Sequence, residues 1–282
     1  MPGTTAVERT VEAFLPHADS EDISNPIHSS ATAQKYGFKA ALVGGVTVWG
    51  WATPTILEAL GPGWLDRGWA DFAFRQPTYP GDTLAVRVAP GSDAGPDAWS
   101  VTMTNQDGVL CVVASVGLGD APWIEEYRTP GRMTGAASPD PKPGLLLAEA
   151  PVGQDWRPMS EETPVPEMQH FASHNQRSND PIFTGDRPRL HPAFIAGRAE
   201  RIMRHNVSLP NSIHTRSRIQ HLAPAYAGQR VTTGAHFLEA YERKAHHIAN
   251  FDCLVQGQDG TPLARLRHWT IFRVAPASER AG

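Results

Sequence analysis

The amino-acid sequence repeats itself after about 150 residues, and this repeat constrains the fold more than any other feature. The segment FAFRQPTYPGD at residues 72–82 is echoed by IQHLAPAYAGQ at residues 219–229, which aligns Pro77 with Pro224 at a shift of 147 residues. Self-similarity of this kind indicates that a structural unit has been duplicated. We therefore expect two copies of one fold.

Two shorter echoes support the duplication. NPIH at residues 25–28 is matched by DPIF at residues 180–183. QDG occurs at residues 106–108 and again at 258–260, where alternating apolar residues flank it on both sides. Such a tripeptide between two strand patterns is typical of a hairpin turn, so each copy is expected to contain the same hairpin.

Each copy combines one apolar helix with a series of strands. The helix of the first copy is predicted at residues 46–60 and is apolar nearly all round, which is typical of a helix enclosed by other structure. That of the second copy is predicted at 192–205. Period-two apolar patterns indicate half-buried antiparallel strands that cover the helices, and the predicted fold class is α+β. These strands lie near residues 72–74, 84–88, 99–103, 110–118, 213–222, 229–239, 244–257 and 262–274.

The repeat predicts a domain organisation. We expect the first unit over residues 1–120 and the second over residues 167–282, separated by a linker at 121–166 that contains nine prolines. This composition is typical of a segment with little regular structure, although its Trp and Leu side chains favour packing against the surface. The two copies are expected to pack sheet to sheet as a pseudo-dimer, and two chains are expected to form a homodimer.

The composition argues against several partners and environments. The net charge is −4, so no basic surplus marks the chain for nucleic acid. Residues 40–57 carry no charge, but the glycines, threonines and proline within them argue against a membrane span. Cys111 and Cys253 lie in apolar alternating runs and are expected to be buried thiols. Together with a start that lacks a signal-peptide pattern, these features predict a cytoplasmic protein.

The sequence also lacks the motifs of common cofactors. It contains no G-x-G-x-x-G, no P-loop and no G-x-S-x-G, so we expect chemistry without a nucleotide or other cofactor. Most of the 12 histidines fall in the second copy, but none forms an H-E-x-x-H or C-x-x-C pattern, and we expect no metal site. A zinc site among these scattered histidines is the alternative.

Residues around the start of the first predicted helix resemble those of a known family. The sequence reads NPIH at 25–28, then Ala33, Gly-Phe at 37–38 and a glycine pair at 44–45. This order resembles the motif of MaoC-like dehydratases and hydratase-2 enzymes, in which D-x-N-P-I-H precedes an alanine, a Gly-Phe and a His-Gly that opens the central helix. Residues 74–82 resemble the family's F-x-x-P-V-x-x-G-D. The resemblance implies a double hotdog fold, in which two fused units each wrap an antiparallel sheet around a central helix.

The motif is incomplete in this chain. The family's aspartate falls on Ile23, and its helix-leading histidine falls on Gly44. Asp22 and Glu21 are adjacent and supply a carboxylate if the loop shifts by one residue. In the second copy the positions of the aspartate, asparagine and histidine are occupied by Ser178, Asp180 and Phe183. We therefore expect one site per chain.

The resemblance implies that the NPIH segment carries the proton chemistry. His28 would be the general base, because a neutral imidazole accepts a proton near neutral pH. Asn25 would orient water or substrate, and Asp22 would supply the carboxylate. The alternative for His28 is a histidine that is simply hydrogen-bonded within a loop.

The start of the first helix would hold the substrate carbonyl. Gly44, Gly45 and Val46 are expected to form the oxyanion hole, because N–H groups at a helix start are unpaired and the helix dipole favours negative charge there. The alternative for the glycines is a tight turn. His191 opens the second helix at the position of the glycine pair and is a candidate for contact with the ligand.

By this resemblance the chain is expected to be an acyl-thioester hydratase or dehydratase. It would carry out R-specific enoyl hydration or 3-hydroxyacyl dehydration on coenzyme A or an acyl carrier protein. The alternatives are a hotdog thioesterase, a dehydratase that tailors a secondary metabolite, and a non-catalytic acyl-thioester-binding protein. Arg243 and Lys244 either contact the phosphates of the thioester arm or belong to a charged turn.

Overall fold

The computed structural model of the chain describes residues 5–15 and 25–280, in which ten strands form one antiparallel sheet. The strands are β1 (Val7–Glu12), β2 (Gly68–Phe74), β3 (Thr83–Ser92), β4 (Gly95–Asn105), β5 (Leu110–Leu118), β6 (Met159–Glu162), β7 (Ile213–His221), β8 (Arg230–Arg243), β9 (His246–Gln256) and β10 (Pro262–Arg273). The α-helices are α1 (Ser30–Lys35), α2 (Gly45–Leu60), α3 (Trp64–Arg67), α4 (Val165–His170), α5 (Pro181–Thr184) and α6 (Pro192–Asn206). Shorter helical turns lie at Pro26–His28, Ile124–Glu126, Leu147–Glu149, Phe171–Asn175 and Ala277–Glu279.

The predicted pattern of one apolar helix and several strands in each copy is confirmed. Helix α2 begins one residue before the predicted start, and ten of its sixteen residues are buried, as expected for an enclosed helix. Helix α6 and strands β7, β9 and β10 lie within two residues of their predicted limits, whereas β8 continues to Arg243, four residues further. The α+β class follows from these elements.

The two halves of the sheet join edge to edge. The strand order is β1-β3-β4-β5-β2-β7-β10-β9-β8-β6, so each half has five strands and the halves meet where β2 pairs with β7. Helices α2 and α6 pack against each other and against the sheet. The expectation that two sheets pack sheet to sheet needs correction, because backbone hydrogen bonds between β2 and β7 make one continuous sheet.

The register at this junction coincides with the sequence repeat. Asp71 lies opposite Arg218, and the difference between these numbers, 218 − 71, is the 147-residue shift of the repeat. A pair whose members are equivalent in the two copies lies on the local two-fold axis that relates them. The axis therefore passes through the centre of the sheet, between β2 and β7.

The proline-rich segment contains some regular structure. Strand β6 lies within residues 121–166 and pairs with β8 at one edge of the sheet, as β1 pairs with β3 at the other edge. Trp123 and Trp156 are buried, as expected for a segment that packs against the surface. From the equivalent places of β1 and β6, we propose that the second unit begins at β6.

Aromatic side chains fill the core between helices and sheet. The rings of Trp49 and Phe72 lie 4.1 Å apart in the first half, and those of Trp156 and Phe251 lie 4.7 Å apart in the second. The two cysteines are buried free thiols, as predicted. Within the described ranges, no helix combines the length and the apolar character that crossing a membrane requires.

The two central helices approach closely at Gly50 of α2. A Cβ atom at this position would overlap the side-chain amide of Gln176 and lie 2.9 Å from the Cβ atom of Ala193 in α6. Gly197 is the equivalent residue of α6 at the 147-residue shift, yet a Cβ atom there would meet only Val46 Cγ1, at 3.6 Å. The two glycines occupy equivalent places in sequence but not in packing.

This difference predicts opposite effects of one substitution. Gly50→Ala should lower the free energy of unfolding by about 1–3 kcal/mol, because overpacking outweighs the better helix propensity of alanine. Gly197→Ala should leave it unchanged or raise it by up to about 1 kcal/mol. Urea unfolding of both variants measures the difference, and equal effects would contradict the packing described.

Candidate active site

The N-terminus of α2 lines a cavity of about 440 Å³. Gly44 is the N-cap residue, and no side chain caps the helix. In the part of the chain that the structure describes, no acceptor bonds the N–H groups of Gly45 and Val46. Both residues line the cavity. Two unpaired N–H groups at the positive end of a helix dipole can bind a carbonyl oxygen that gains negative charge.

His28 lies beside this helix start. Its Nδ1 is 2.6 Å from the carbonyl oxygen of Leu42, which can only accept, so Nδ1 carries the proton and Nε2 has a free lone pair. Nε2 is 3.6 Å from the place that a Cβ atom on Gly44 would occupy. A side chain at position 44 would therefore crowd the free nitrogen of His28.

The environment of His28 favours its neutral form. Burial lowers the pKa of His28 below its ordinary value of 6.5, and the hydrogen bond to Leu42 and the charge of Glu200 act in the opposite direction more weakly. The imidazole is therefore ready to accept a proton at neutral pH.

Asn25 connects the NPIH segment to the second half of the molecule. Its Nδ2 donates to the Ser212 carbonyl at 2.9 Å and to Ser212 Oγ at 3.2 Å, and its Oδ1 accepts from the Ser212 N–H at 3.2 Å. Asn25 lines the cavity. The expected role of Asn25 in orienting water or substrate needs correction, because both ends of its amide are bonded to Ser212.

The remaining predicted residues lie elsewhere. Asp22, together with Glu21 and Ile23, falls outside the described residues. His191 does not line this cavity: it is 2% exposed and caps α6, where its Nδ1 accepts from the Ala193 N–H at 3.2 Å. Burial lowers the pKa of His191 to about 3.

The start of α6 therefore lacks the free amides found at the start of α2. Pro192 has no N–H group, and the N–H group of Ala193 is bonded to His191. Phe183 occupies the position equivalent to His28, and its ring lies 4.6 Å from the ring of His191. These differences favour one site per chain.

The second half contributes polar residues that the sequence analysis missed. Glu200 and Arg204 of α6, Ser212 before β7, His214 of β7 and His268 of β10 all line the cavity. Glu200 Oε1 accepts hydrogen bonds from Ser212 Oγ at 2.5 Å and from Arg204 Nε at 2.8 Å. The sequence did contain a signal for Glu200 and Arg204: they are charged residues four positions apart on a helix that was expected to be covered by strands.

Two buried histidines form one wall of the cavity. The rings of His214 and His268 lie 4.2 Å apart. His214 Nε2 donates to the carbonyl oxygen of Arg216 at 3.1 Å, and burial lowers the pKa of His214 to about 3. A Cβ atom on Gly45 would lie 2.8 Å from His214 Nδ1, so only glycine fits at this point of the helix start. Among the described residues no group of three or more metal-ligating side chains comes together.

Neither a protein-family model nor a curated protein matches the sequence, but solved structures match the fold. A structure described as a MaoC-like dehydratase has a TM-score of 0.58 at 15% identity, with 89% of this chain and 90% of that chain covered. A conserved hypothetical protein of Mycobacterium tuberculosis, described as having a double hotdog fold, has a TM-score of 0.57 at 12% identity, with 88% and 86% covered. A Lactobacillus plantarum protein, described with oleoyl thioesterase as its proposed activity, has a TM-score of 0.53 at 8% identity, with 97% and 98% covered.

Likeness at these identities shows the fold alone. The chain has the double hotdog fold that the motif implied, with α2 and α6 as the two central helices.

The neutral state of His28 predicts its titration. By NMR, the imidazole of His28 should titrate with a midpoint below 6.5 in the folded protein, because burial disfavours the charged form. Since the unfolded chain then binds the extra proton first, this residue's contribution to stability is complete above pH 6.5 and is lost as the pH falls below it. A His28→Asn variant assigns the signal, and a midpoint above 6.5 would contradict the geometry.

Proposed function

We propose that this chain is an enzyme that hydrates an enoyl thioester or dehydrates a 3-hydroxyacyl thioester. One observation carries the proposal: the free Nε2 of His28 and the unpaired N–H groups of Gly45 and Val46 face the same cavity. Moving a proton on the carbon beside a carbonyl requires such a base together with donors for the enolate oxygen. The R configuration of the product rests on the family resemblance.

The geometry supports a sequence of steps without an electron acceptor. In dehydration, His28 Nε2 removes a proton from C2 of the thioester, and the electron pair moves toward the carbonyl oxygen between the N–H groups of Gly45 and Val46. When the pair returns, the C2–C3 double bond forms and the C3–O bond breaks. The hydroxyl group takes its proton from a second acid–base group in the cavity and leaves as water, and hydration follows the reverse path.

The rest of the cavity suits an acyl chain. Its apolar lining comes from both halves of the molecule and includes Ile27, Phe38, Leu42, Phe74, Ile213 and Ile271. Side chains of this kind exclude water from the thioester, which strengthens the hydrogen bonds that the helix start can offer. This apolar wall supports an acyl thioester as the substrate.

A second groove beside the cavity suits the arm of the thioester. The groove has a volume of about 930 Å³ and shares Phe74, Arg75 and His246 with the cavity. Arg75, Arg243 and Lys244 line it, and within the described ranges none of the three forms an ion pair. Unpaired cations favour a phosphate-bearing arm, such as coenzyme A or the prosthetic group of an acyl carrier protein provides.

A turnover assay tests the proposed reaction. Incubated with short and longer enoyl thioesters, the protein should form 3-hydroxyacyl thioesters, and His28→Asn should lower kcat by about 10²–10⁴-fold. Asparagine keeps a donor for Leu42 while removing the base, so the loop is preserved. His170→Asn, an exposed histidine outside the cavity, is the matched control and should retain full activity.

The same assay separates the other candidates. Mass and free thiol are followed together, because a thioesterase releases thiol, whereas a hydratase changes only the mass by one water. The carboxylate of Glu200 in the cavity favours the thioesterase as second candidate, since a carboxylate can activate water. Thiol release without hydration would contradict the proposed function, and binding without any turnover would identify a binding protein.

A further inference from the structure

We propose that Glu200 is a second catalytic residue, contributed to the site by the second unit. Glu200 would exchange a proton with the C3 oxygen of the substrate, while His28 takes the proton from C2. The inference rests on the proposed function and names the acid–base partner that the incomplete motif of the first unit lacks. The site is then composite, with the histidine from one unit and the carboxylate from the central helix of the other.

The position of Glu200 fits this role. It lines the same cavity as His28, Gly45 and Val46. Its Oε1 is held by Ser212 Oγ at 2.5 Å and by Arg204 Nε at 2.8 Å. Two donors on one oxygen fix the direction of the whole carboxylate, so the second oxygen has a defined place in the cavity.

The second oxygen is free to bond a substrate. Within the described part of the chain Oε2 makes no hydrogen bond, and His268 Nε2 lies 3.9 Å from it. His268 is completely buried, and its pKa lies well below the ordinary value because burial and the neighbouring His214 disfavour its charge. A neutral ring at this distance forms no ion pair with Oε2, so this oxygen is left to bond a substrate.

Ser212 connects the carboxylate to the motif that carries His28. Its Oγ donates to Glu200 and accepts from Asn25 Nδ2 at 3.2 Å. Asn25 lies three residues before His28 and is bonded to the Ser212 backbone as well. This link gives Asn25 a task that differs from orienting water: it sets the distance between the two acid–base groups across the unit boundary.

The repeat accounts for the absence of a second such site among the residues that the structure describes. At the 147-residue shift the residue of α2 that corresponds to Glu200 is Thr53. NPIH and DPIF align at a shift of 155 residues, where Phe183 corresponds to His28. The groove beside Phe183 is lined by Pro54, Leu57 and Glu58 of α2. One cavity therefore contains both a histidine and a carboxylate. At the positions that the repeat makes equivalent, the residues are Phe183 and Thr53, and neither can transfer a proton in this way.

The two residues exchange a single proton during the reaction. Dehydration starts with the proton on Glu200: His28 takes the C2 proton, Glu200 gives its proton to the C3 hydroxyl group, the C3–O bond breaks, and water leaves. The product state has an imidazolium and a carboxylate. Hydration requires that same state, which is the minor form at neutral pH because burial lowers the pKa of His28. Glu200 then takes a proton from the attacking water, and His28 returns one to C2. Atoms and charge balance without any co-reactant.

Kinetics of single variants test the assignment. Glu200→Gln should lower kcat for enoyl thioester hydration by about 10²–10⁴-fold, because glutamine cannot carry the proton. Its KM and its Kd for an unreactive saturated thioester should change by less than about three-fold, since glutamine keeps the size and the bonds to Ser212 and Arg204. Glu58→Gln makes the same change in the groove beside Phe183 and should have wild-type kinetics.

Two further variants complete the design. Asp22→Asn tests the alternative carboxylate that the family motif implies, and its kcat is compared with that of Glu200→Gln. Glu200→Asp keeps the charge but withdraws the free oxygen by one methylene, so its kcat should lie between those of wild type and Glu200→Gln. This variant decides the question if Glu200→Gln fails to fold, because full activity of Glu200→Asp would then overturn the assignment.

The outcomes separate this inference from the proposed function. If wild type hydrates the thioester and His28→Asn does not, the proposed function stands. Full activity of Glu200→Gln, a loss confined to Asp22→Asn, or equal losses of kcat and of saturated-thioester binding in Glu200→Gln would then overturn the role of Glu200 alone. Absence of hydration by the wild type would overturn both.

Discussion

The pairing of β2 with β7 is the constraint on which the rest of the structure depends. It places Asp71 opposite Arg218 on the two-fold axis, where the Asp71 carboxylate accepts from Arg218 Nε at 2.9 Å and from Arg216 at 2.8 and 2.6 Å. On the other face of the same strand, Ala70 and Phe72 are completely buried in the core with α2. Because alternate residues point to opposite faces of the sheet, β2 contributes side chains both to the junction between the halves and to the core. The cavity exists because this junction brings β7 and α6 beside the start of α2.

The proposed chemistry depends on a difference between the starts of the two central helices. The start of α2 has glycine where a side chain would cap the helix, and its free N–H groups face the cavity. The start of α6 has His191 and Pro192, which cap the helix and remove the free amides. A capped helix is more stable, whereas an uncapped one can bind an anion. The duplication thus allows one unit to serve packing while the other serves chemistry.

Local patterns in the sequence predicted much of this arrangement. Helix α2, helix α6 and most strands follow from apolar periodicity, and His28, Asn25, Gly44, Gly45 and Val46 line one cavity as the motif implied. Glu200, Ser212, His214 and His268 were missed, because they lie some 170 or more residues after the NPIH segment and reach it only through the β2–β7 junction. The edge-to-edge joining of the sheet was missed for a related reason: periodicity shows which face of a strand is buried but says nothing about which strand pairs with which.

The central claim is that a thioester carbonyl binds at the start of α2 with C2 facing His28. The most direct test is a crystal structure of the protein with a saturated acyl thioester bound. In this structure the carbonyl oxygen should accept hydrogen bonds from the N–H groups of Gly45 and Val46, and C2 should lie within about 3.5 Å of His28 Nε2. A carbonyl bound away from this helix start, or a C2 atom beyond the reach of His28, would contradict it.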